Sequence, residues 1–362
     1  MSSIIGNVIK ISVFGESHGA AIGAVIDGLP AGEAVSTDEI LVQMERRAPG
    51  KDKSATTRKE SDTPEIISGV LDGKTTGMPL CAVIRNSDTR SSDYSYLKAT
   101  PRPSHADYPA SVKYGDSFDI RGSGHFSGRL TAPIVFAGAV CRQMLARRGI
   151  TVGGHIYSIG GVHDTPFDPV NIDCELLTQL SRRPFSVIDK TAEQNMRDEI
   201  EAARLDRDSV GGVVEVAVSG LPAGIGEPMM RGVESAISAI VFGIPAVKGI
   251  EFGTGFDISA MRGSEANDRY AEDGGKIRTL TNNNGGILGG ITTSMPLIMR
   301  AAFKPTPSIS KPQSTLCTQD MQMTELVIKG RHDPCIVPRA LPVAEAAVCI
   351  ALADLMKESG ML

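Results

Sequence analysis

Three of the six histidines sit in loops dense in Gly, Pro, Arg and Asp: His18 in FGESHG, His105 in RPSHADY and His332 in KGRHDPC. A lone histidine is most often a hydrogen-bonded structural group. A loop on a rigid scaffold, with charges beside it, favours function instead. Imidazole titrates near neutrality and is the natural proton carrier to a leaving group. No pair of histidines has metal-ligand spacing, so no catalytic zinc is expected. Basic residues fall in the same loops: Arg46, Arg47, Lys51, Lys53, Arg58 and Lys59, then Arg102 before His105, Arg129 after a glycine run, and Arg331 before His332. Solvated surface is the usual fate of such residues. The guanidinium fork, however, matches carboxylates and phosphates, and the run Lys304-Pro305-Thr306-Pro307-Ser308 offers hydroxyls on a stiff backbone. Asp333, two residues after Arg331, is a salt-bridge partner or a proton carrier. The chemistry these groups share is handling of a small, multiply charged anion.

The elements that must carry these loops can be read from periodicity and turn residues. Residues 8–14 and 20–27 read as strands around a glycine turn. Ser36-Thr37-Asp38-Glu39 opens a capping box, and the helix it starts ends at Arg47 before Pro49-Gly50. Residues 64–71 and 78–85 read as a strand pair, 128–148 as a long apolar helix stopped by Gly149, and 150–159 and 211–219 as strands. Further helices are expected at 188–205, 229–242 and 340–357. Two strings recur in the same order. Gly28-Leu29-Pro30-Ala31-Gly32 returns as Gly220-Leu221-Pro222-Ala223-Gly224. GVLDGKTTGMPL at 69–80 returns as GILGGITTSMPL at 286–297, identical at eight of twelve positions. The expectation is one domain over 1–362 built from two related halves, about 1–150 and 205–362.

Three motifs nearly match known sites. Gly15-Glu16-Ser17-His18-Gly19 fits the nucleophile elbow, but a strand is expected after it where the elbow needs a helix. Gly69 to Thr75 is one residue short of a phosphate-binding loop, and its second copy has Ile291 in place of Lys74. Gly122-Ser123-Gly124-His125-Phe126-Ser127-Gly128 is one residue too long for a dinucleotide fingerprint, yet it places glycines and free N–H groups at a helix start.

Bulk properties narrow the class. A net charge of −5 and only 4% aromatic residues argue against a nucleic-acid partner. The six cysteines form no C-x-x-C pair, which fits reduced thiols in a cytoplasmic protein. No signal peptide or membrane-spanning run is evident.

Read together, FGESHG (14–19), DGLPAG (27–32), RRAPG (46–50), SGVLDGKTTGMPL (68–80), RPSHADY (102–108), PAVKGIEFGTGF (245–256), GGILGG (285–290), KPTPSI (304–309) and KGRHDPC (329–335) resemble the chorismate synthase family nearly end to end. The resemblance implies an α/β (α+β) fold, a β-α-β sandwich with helices between antiparallel sheets, assembled as a homotetramer with one FMN per subunit. It implies 1,4-elimination of phosphate from 5-enolpyruvylshikimate 3-phosphate to give chorismate, with FMN in its reduced form and no net redox change. By that resemblance His18 protonates the departing phosphate, His105 maintains the protonation state of the reduced flavin, Asp333 assists removal of the ring proton, and Ser17 and Ser127 serve these relays. His125, Phe126, Ser127, Pro245, Ala246, Gly289, Lys304, Pro305, Thr306, Pro307, Ser308 and Arg331 would contact FMN. Arg46, Arg47, Lys53, Arg129 and His332 would face substrate or NADP. The chain departs from the family where His125 and Phe126 replace an Arg and a Ser, which favours a backbone role there, and where Lys53 replaces a common Arg. NADPH enters as a candidate reductant, but without a dinucleotide fingerprint an outside reductant is expected. The rival reading is a flavin- or phosphate-binding module without elimination activity.

Overall fold

The structure, a computed structural model, describes residues 3–50, 62–87, 96–328 and 332–362. The first part of the chain runs β1 (Ile4–Ile5), β2 (Lys10–Gly15), β3 (Ala21–Asp27), α1 (Thr37–Arg47), β4 (Glu65–Ser68), β5 (Val70–Leu71), β6 (Lys74–Thr75), β7 (Leu80–Arg85), α2 (Asp107–Tyr114) and α3 (Thr131–Ala146). The second runs β8 (Thr151–Ile159), β9 (Val162–His163), α4 (Cys174–Leu180), α5 (Lys190–Leu205), β10 (Gly212–Ser219), α6 (Val233–Val241), β11 (Val247–Phe252), α7 (Gly263–Ala266), β12 (Tyr270–Asp273), β13 (Lys276–Thr279), β14 (Ile287–Leu288), β15 (Ile291–Thr292), β16 (Leu297–Phe303), β17 (Gln313–Leu316), β18 (Met323–Leu326) and α8 (Val337–Glu358).

Two five-stranded antiparallel sheets form, ordered β1-β2-β3-β7-β4 and β11-β16-β10-β8-β9. Helix α3 packs on β2 and β3, α8 packs on β8 and β10, and the two helices pack on each other. Both are apolar on nearly every face, with twelve residues of α3 and eighteen of α8 buried. A helix without a polar face needs cover all round, which a layer between two sheets provides. This is an α+β sandwich with helices inside. Most buried apolar side chains of both sheets join those of α1, α3, α6 and α8 in one core, while Ala217 and Ile298 pack with Phe167, Leu177 and Leu180 in a smaller cluster.

The recurring strings occupy matching places. In the first sheet β2-β3-β7-β4 are neighbours; in the second the order is β8-β10-β16-β11. The Thr75 hydroxyl donates to the Pro30 carbonyl at 2.5 Å and accepts from the Glu33 N–H at 3.0 Å. The Thr292 hydroxyl does the same with Pro222 at 2.7 Å and Ile225 at 2.9 Å. Gly28 and Gly220 both turn with left-handed φ, 83° and 85°. A Cβ would strike the Val8 carbonyl at 2.0 Å in the first case and the Gly149 carbonyl at 2.3 Å in the second. The segment that resembled a phosphate-binding loop is the β5–β6 hairpin turn. FGESHG likewise joins strand to strand, so it is not a nucleophile elbow.

Three helices start later than periodicity predicts: α5 begins at Lys190, where Asp189 accepts from the Thr191 and Ala192 N–H groups, and two others are delayed by turns. Ser127 accepts from the Arg129 N–H and caps a tight turn, Gly128–Leu130, so α3 begins at Thr131. Met229 takes a left-handed φ of 62° in a turn ahead of α6, which therefore begins at Val233. At the far end of the layer, the Asp354 carboxylate accepts the N–H groups of Asn7, Val8 and Ile9 at 2.8–2.9 Å, pinning the N-terminal segment to α8.

The second sheet carries a buried charge cluster. His155, fully buried, lies 2.7 Å from Asp164 through Nδ1 and 2.9 Å from Glu215 through Nε2. Arg300 grips the same Glu215 carboxylate at 2.8 Å. Burial disfavours the charged ring, but the bonds to Asp164 and Glu215 outweigh it and raise the pKa above the ordinary value. Such a group contributes its full stability below the unfolded pKa of about 6.5, and loses it as pH rises through the higher folded value. His155→Gln should cost about 3–5 kcal/mol at pH 6, the range for breaking a buried pair. Urea midpoints should show the gap from wild type narrowing by pH 9; a gap that stays constant would mean the ring is held neutral.

Candidate active site

Loops from distant parts of the chain line a cleft of about 580 Å³, within the usual size of a small-molecule site. From the earlier part of the chain come Arg47, the loop around Arg102 to Ala106, and the glycine run from Gly122 to Arg129. From the later part come residues 242–248, the Lys304–Ser308 strap, and the stretch from His332 to Arg339 that leads into α8.

Arg102 ties three of these loops together. It is buried and bidentate on Asp107, with Nε and Nη2 each 2.7 Å from a carboxylate oxygen. Its Nη1 donates to Ser308 at 3.1 Å and its Nη2 to Ser123 at 2.9 Å. His105 Nδ1 lies 2.7 Å from Asp107 Oδ1, the oxygen that also accepts from Arg102 Nη2. Burial pulls the His105 pKa down, the bond to Asp107 pushes it up, and the charges of Arg102 and Lys304 add to the lowering, which prevails. The ring is therefore neutral at physiological pH. Burial would raise the Asp107 pKa, but Arg102 and His105 hold it well below the usual carboxylate range.

The glycine run is wound left-handed. Gly122, Ser123 and Gly124 have φ of 57°, 72° and 54°. Ser104 and Ala246 on the same cleft are also left-handed, at 58° and 75°. Non-glycine residues in this region store strain, and such strain gathers at binding sites. Ala246 is held there by its carbonyl, which accepts from the Lys304 N–H at 3.0 Å.

Charge on the cleft wall is one-sided. Arg47, Arg102, Arg129, Lys248, Lys304 and Arg339 line it; Asp333, already paired with Arg339, is the one carboxylate among the described lining residues. Behind the wall, buried Asp62 sits between Arg47, at 3.2 Å, and Arg129 and holds both guanidinium groups in place. Burial lowers the Lys304 pKa, with nearby Lys248 adding to the effect. A chain with net charge −5 thus concentrates positive charge where an anion would dock.

Most expected residues meet here: His105, Phe126, Ser127, Arg47, Arg129, Pro245, Ala246, Lys304, Thr306, Pro307, Ser308, His332 and Asp333. Others do not. Arg46 points into the helix layer, bidentate on buried Glu345 at 2.7 and 2.9 Å, with Arg142 on the same carboxylate, and does not line the cleft. Gly289 sits in the exposed β14–β15 turn and does not line the cleft. Pro305 is exposed and packs toward Gly211. Ser17 and His18 lie behind Gly122, where an added Cβ would come within 2.7 Å of both, and neither lines the cleft. His125 lines the cleft, but its ring bridges the Gly15 carbonyl and the Ser3 hydroxyl, each at 2.8 Å. Its ring nitrogens are thus engaged by the protein, in keeping with a backbone role. Lys53 and Arg331 lie outside the described residues. Sequence reading missed Asp107, Asp62, Lys248 and Arg339. Asp107 had a signal, standing two residues from His105 and five from Arg102; Asp62 had none.

The wall also suits a flavin mononucleotide. Phe126, Pro245, Pro307 and Ile336 offer apolar surface and the cations offer an anion site. The buried Thr306 hydroxyl has no hydrogen-bond partner among the described residues, an unmet group that a ligand oxygen would satisfy.

A family model described as chorismate synthase matches residues 9–357. The chain is 48% identical over 351 residues to a chorismate synthase of Thermococcus kodakarensis, covering 96% of each. The chain belongs to the chorismate synthase family. It is also 44% identical over 360 residues to a chorismate synthase of Methanosarcina acetivorans, covering 99% of this chain and 97% of the other. A crystal structure of a chorismate synthase superposes with a TM-score of 0.78 at 28% identity, covering 98% of this chain and 93% of that one. Membership makes the protein an enzyme, a carbon–oxygen lyase, and removes the reading as a binding module without activity.

The adjacent arginines should separate by experiment. Arg46→Ala should destabilise the fold by about 3 kcal/mol, through a buried carboxylate left short of a partner, and leave the substrate KM near its original value. Arg47→Ala should raise KM about 10-fold or more, as loss of a charge-assisted bond worth about 1.5–3 kcal/mol requires. Thermal melts and steady-state kinetics on both variants check this; a KM effect confined to Arg46 would reverse the assignment.

Proposed function

We propose that this chain converts 5-enolpyruvylshikimate 3-phosphate to chorismate and inorganic phosphate by 1,4-elimination, with reduced FMN bound in the same cleft. The observation that carries this is the cationic wall with a single, already paired carboxylate. The substrate brings two carboxylates and a phosphate, and wall cations oppose each of them. As the allylic C–O bond breaks, negative charge grows on the leaving phosphate, and fixed guanidinium groups stabilise it without reorganising. Reduced FMN, when bound, supplies electron density to an elimination that consumes no net electrons. His105 presents Nε2 to the cleft as a proton acceptor, and Asp333, held by Arg339, assists removal of the substrate's ring proton. Ser127 shapes the start of α3 by capping its first turn. His18 and Ser17 are assigned a supporting place behind Gly122 rather than contact with the leaving phosphate.

An outside reductant supplies the flavin electrons. Among the described residues every strand pair in the two main sheets is antiparallel, an arrangement without the parallel βαβ unit of a dinucleotide site. The enzyme acts in the cytoplasm, in keeping with six free cysteines and with no helix among the described residues long and apolar enough to cross a membrane. It assembles as a homotetramer, supported by exposed apolar side chains such as Phe256, Tyr270 and Ile277. The two halves, about 1–150 and 205–362, are copies of one unit within a single domain, as their matching strand order and threonine clasps suggest.

Enzyme, substrate and chemically reduced FMN mixed under nitrogen should release phosphate; NADPH with oxidised FMN should not support turnover. His105→Ala should lower turnover by about 10²-fold or more. Turnover without flavin, or full rate in His105→Ala, would contradict the proposal.

A further inference from the structure

We propose that Asp107 is a positioning residue that fixes His105 as its Nδ1–H tautomer, so that Nε2 faces the cleft as the proton acceptor. The inference rests on the reading of His105 as a reactive group. It goes further by naming which nitrogen acts and what sets it.

The geometry leaves one arrangement. The Asp107 side chain is 1% exposed and the His105 side chain 15%, with Nδ1 and Oδ1 2.7 Å apart. Arg102 is bidentate on the same carboxylate, and its own N–H also contacts Oδ2 at 3.1 Å. A carboxylate held this way stays ionised and offers acceptors only, so the imidazole must donate through Nδ1. Arg102 Nη2 lies 3.1 Å from Nδ1 as well, but a guanidinium cannot accept a proton, and its donors are already taken up by Asp107, Ser123 and Ser308. Neutral imidazole free in water prefers the Nε2–H form, so the protein imposes the less common tautomer. The charged groups facing His105 are Arg102 and Asp107 on its own loop and Lys304 from the facing strap. The two cations oppose protonation of the ring and Asp107 favours it. The result is a neutral base that Asp107 readies to become charged at the moment it takes a proton, the logic by which a buried carboxylate orients a catalytic histidine elsewhere.

Asp107→Asn tests this. Arg102 would keep the amide oxygen, leaving the amide N–H aimed at Nδ1, which then can only accept. The ring proton would move to Nε2 and close the lone pair to the cleft. Protein labelled with 15N in histidine should report Nδ1–H for His105 in the wild type and Nε2–H in Asp107→Asn. Turnover should fall about 10²-fold or more with KM changed less than about 3-fold, the pattern of lost general-base help rather than lost binding. Asp107→Glu, which keeps the charge, should restore the tautomer and part of the rate. An Nε2–H ring in the wild type overturns the proposal without any variant, even if Asp107→Asn fails to fold. So does a fully active Asp107→Asn beside an inactive His105→Ala, which would leave His105 itself in place. Full turnover in His105→Ala would overturn the active-site reading of that histidine and this inference with it.

Discussion

The bidentate pair between Arg102 and Asp107 holds the cleft in shape. Neither residue faces bulk solvent, and together they bind the histidine loop, the glycine run and the Lys304–Ser308 strap to one point. Removing charges from water is costly, and such a pair persists only where every donor and acceptor is met. Here Arg102 meets a carboxylate and two hydroxyls. The reward is geometric: groups from distant parts of the sequence are kept within hydrogen-bond distance before any ligand arrives, which is what a preorganised site requires.

The scaffold supports the cleft from both sheets. Each sheet covers one side of the helix layer, and the turns beside each sheet are closed by the same threonine clasp. The loops around the cleft differ. The earlier part of the chain contributes the histidine loop and the glycine run, the later part the residue 242–248 turn and the proline strap. Positive charge comes from both sides, while the carboxylates that balance it, Asp62 and Asp107, are buried behind the wall. The cleft therefore presents cations to a ligand and hides their counter-ions.

Much of this was legible in the sequence, and the failures have physical causes. Strands and helices followed from periodicity and capping, and the repeated strings foretold the shared turn geometry. The histidine loop and the proline strap were readable because loops rich in Gly, Pro and charge rarely serve packing. The sequence could not separate Arg46 from Arg47. Adjacent residues on a helix point about 100° apart, so one met buried Glu345 and the other met the cleft, and only the direction of α1 decides which. Gly289 shared its motif with cleft residues but sits at a hairpin tip, where its glycine serves the turn. His18 is close to the glycine run in space, with Nδ1 within 2.7 Å of where a Cβ on Gly122 would sit, yet it does not line the cleft, and no residue type announces that placement. Asp62 follows a polar stretch with no pattern to mark it, and its partners lie far along the chain.

The carboxylate of Asp354 gathers three backbone amides from residues 7–9, tying together segments some 345 positions apart. During synthesis those amides have no such acceptor until α8 has been made. Residues 7–9 therefore settle only after the long stretch between them and α8 has been produced, and the clasp then guards both segments against fraying.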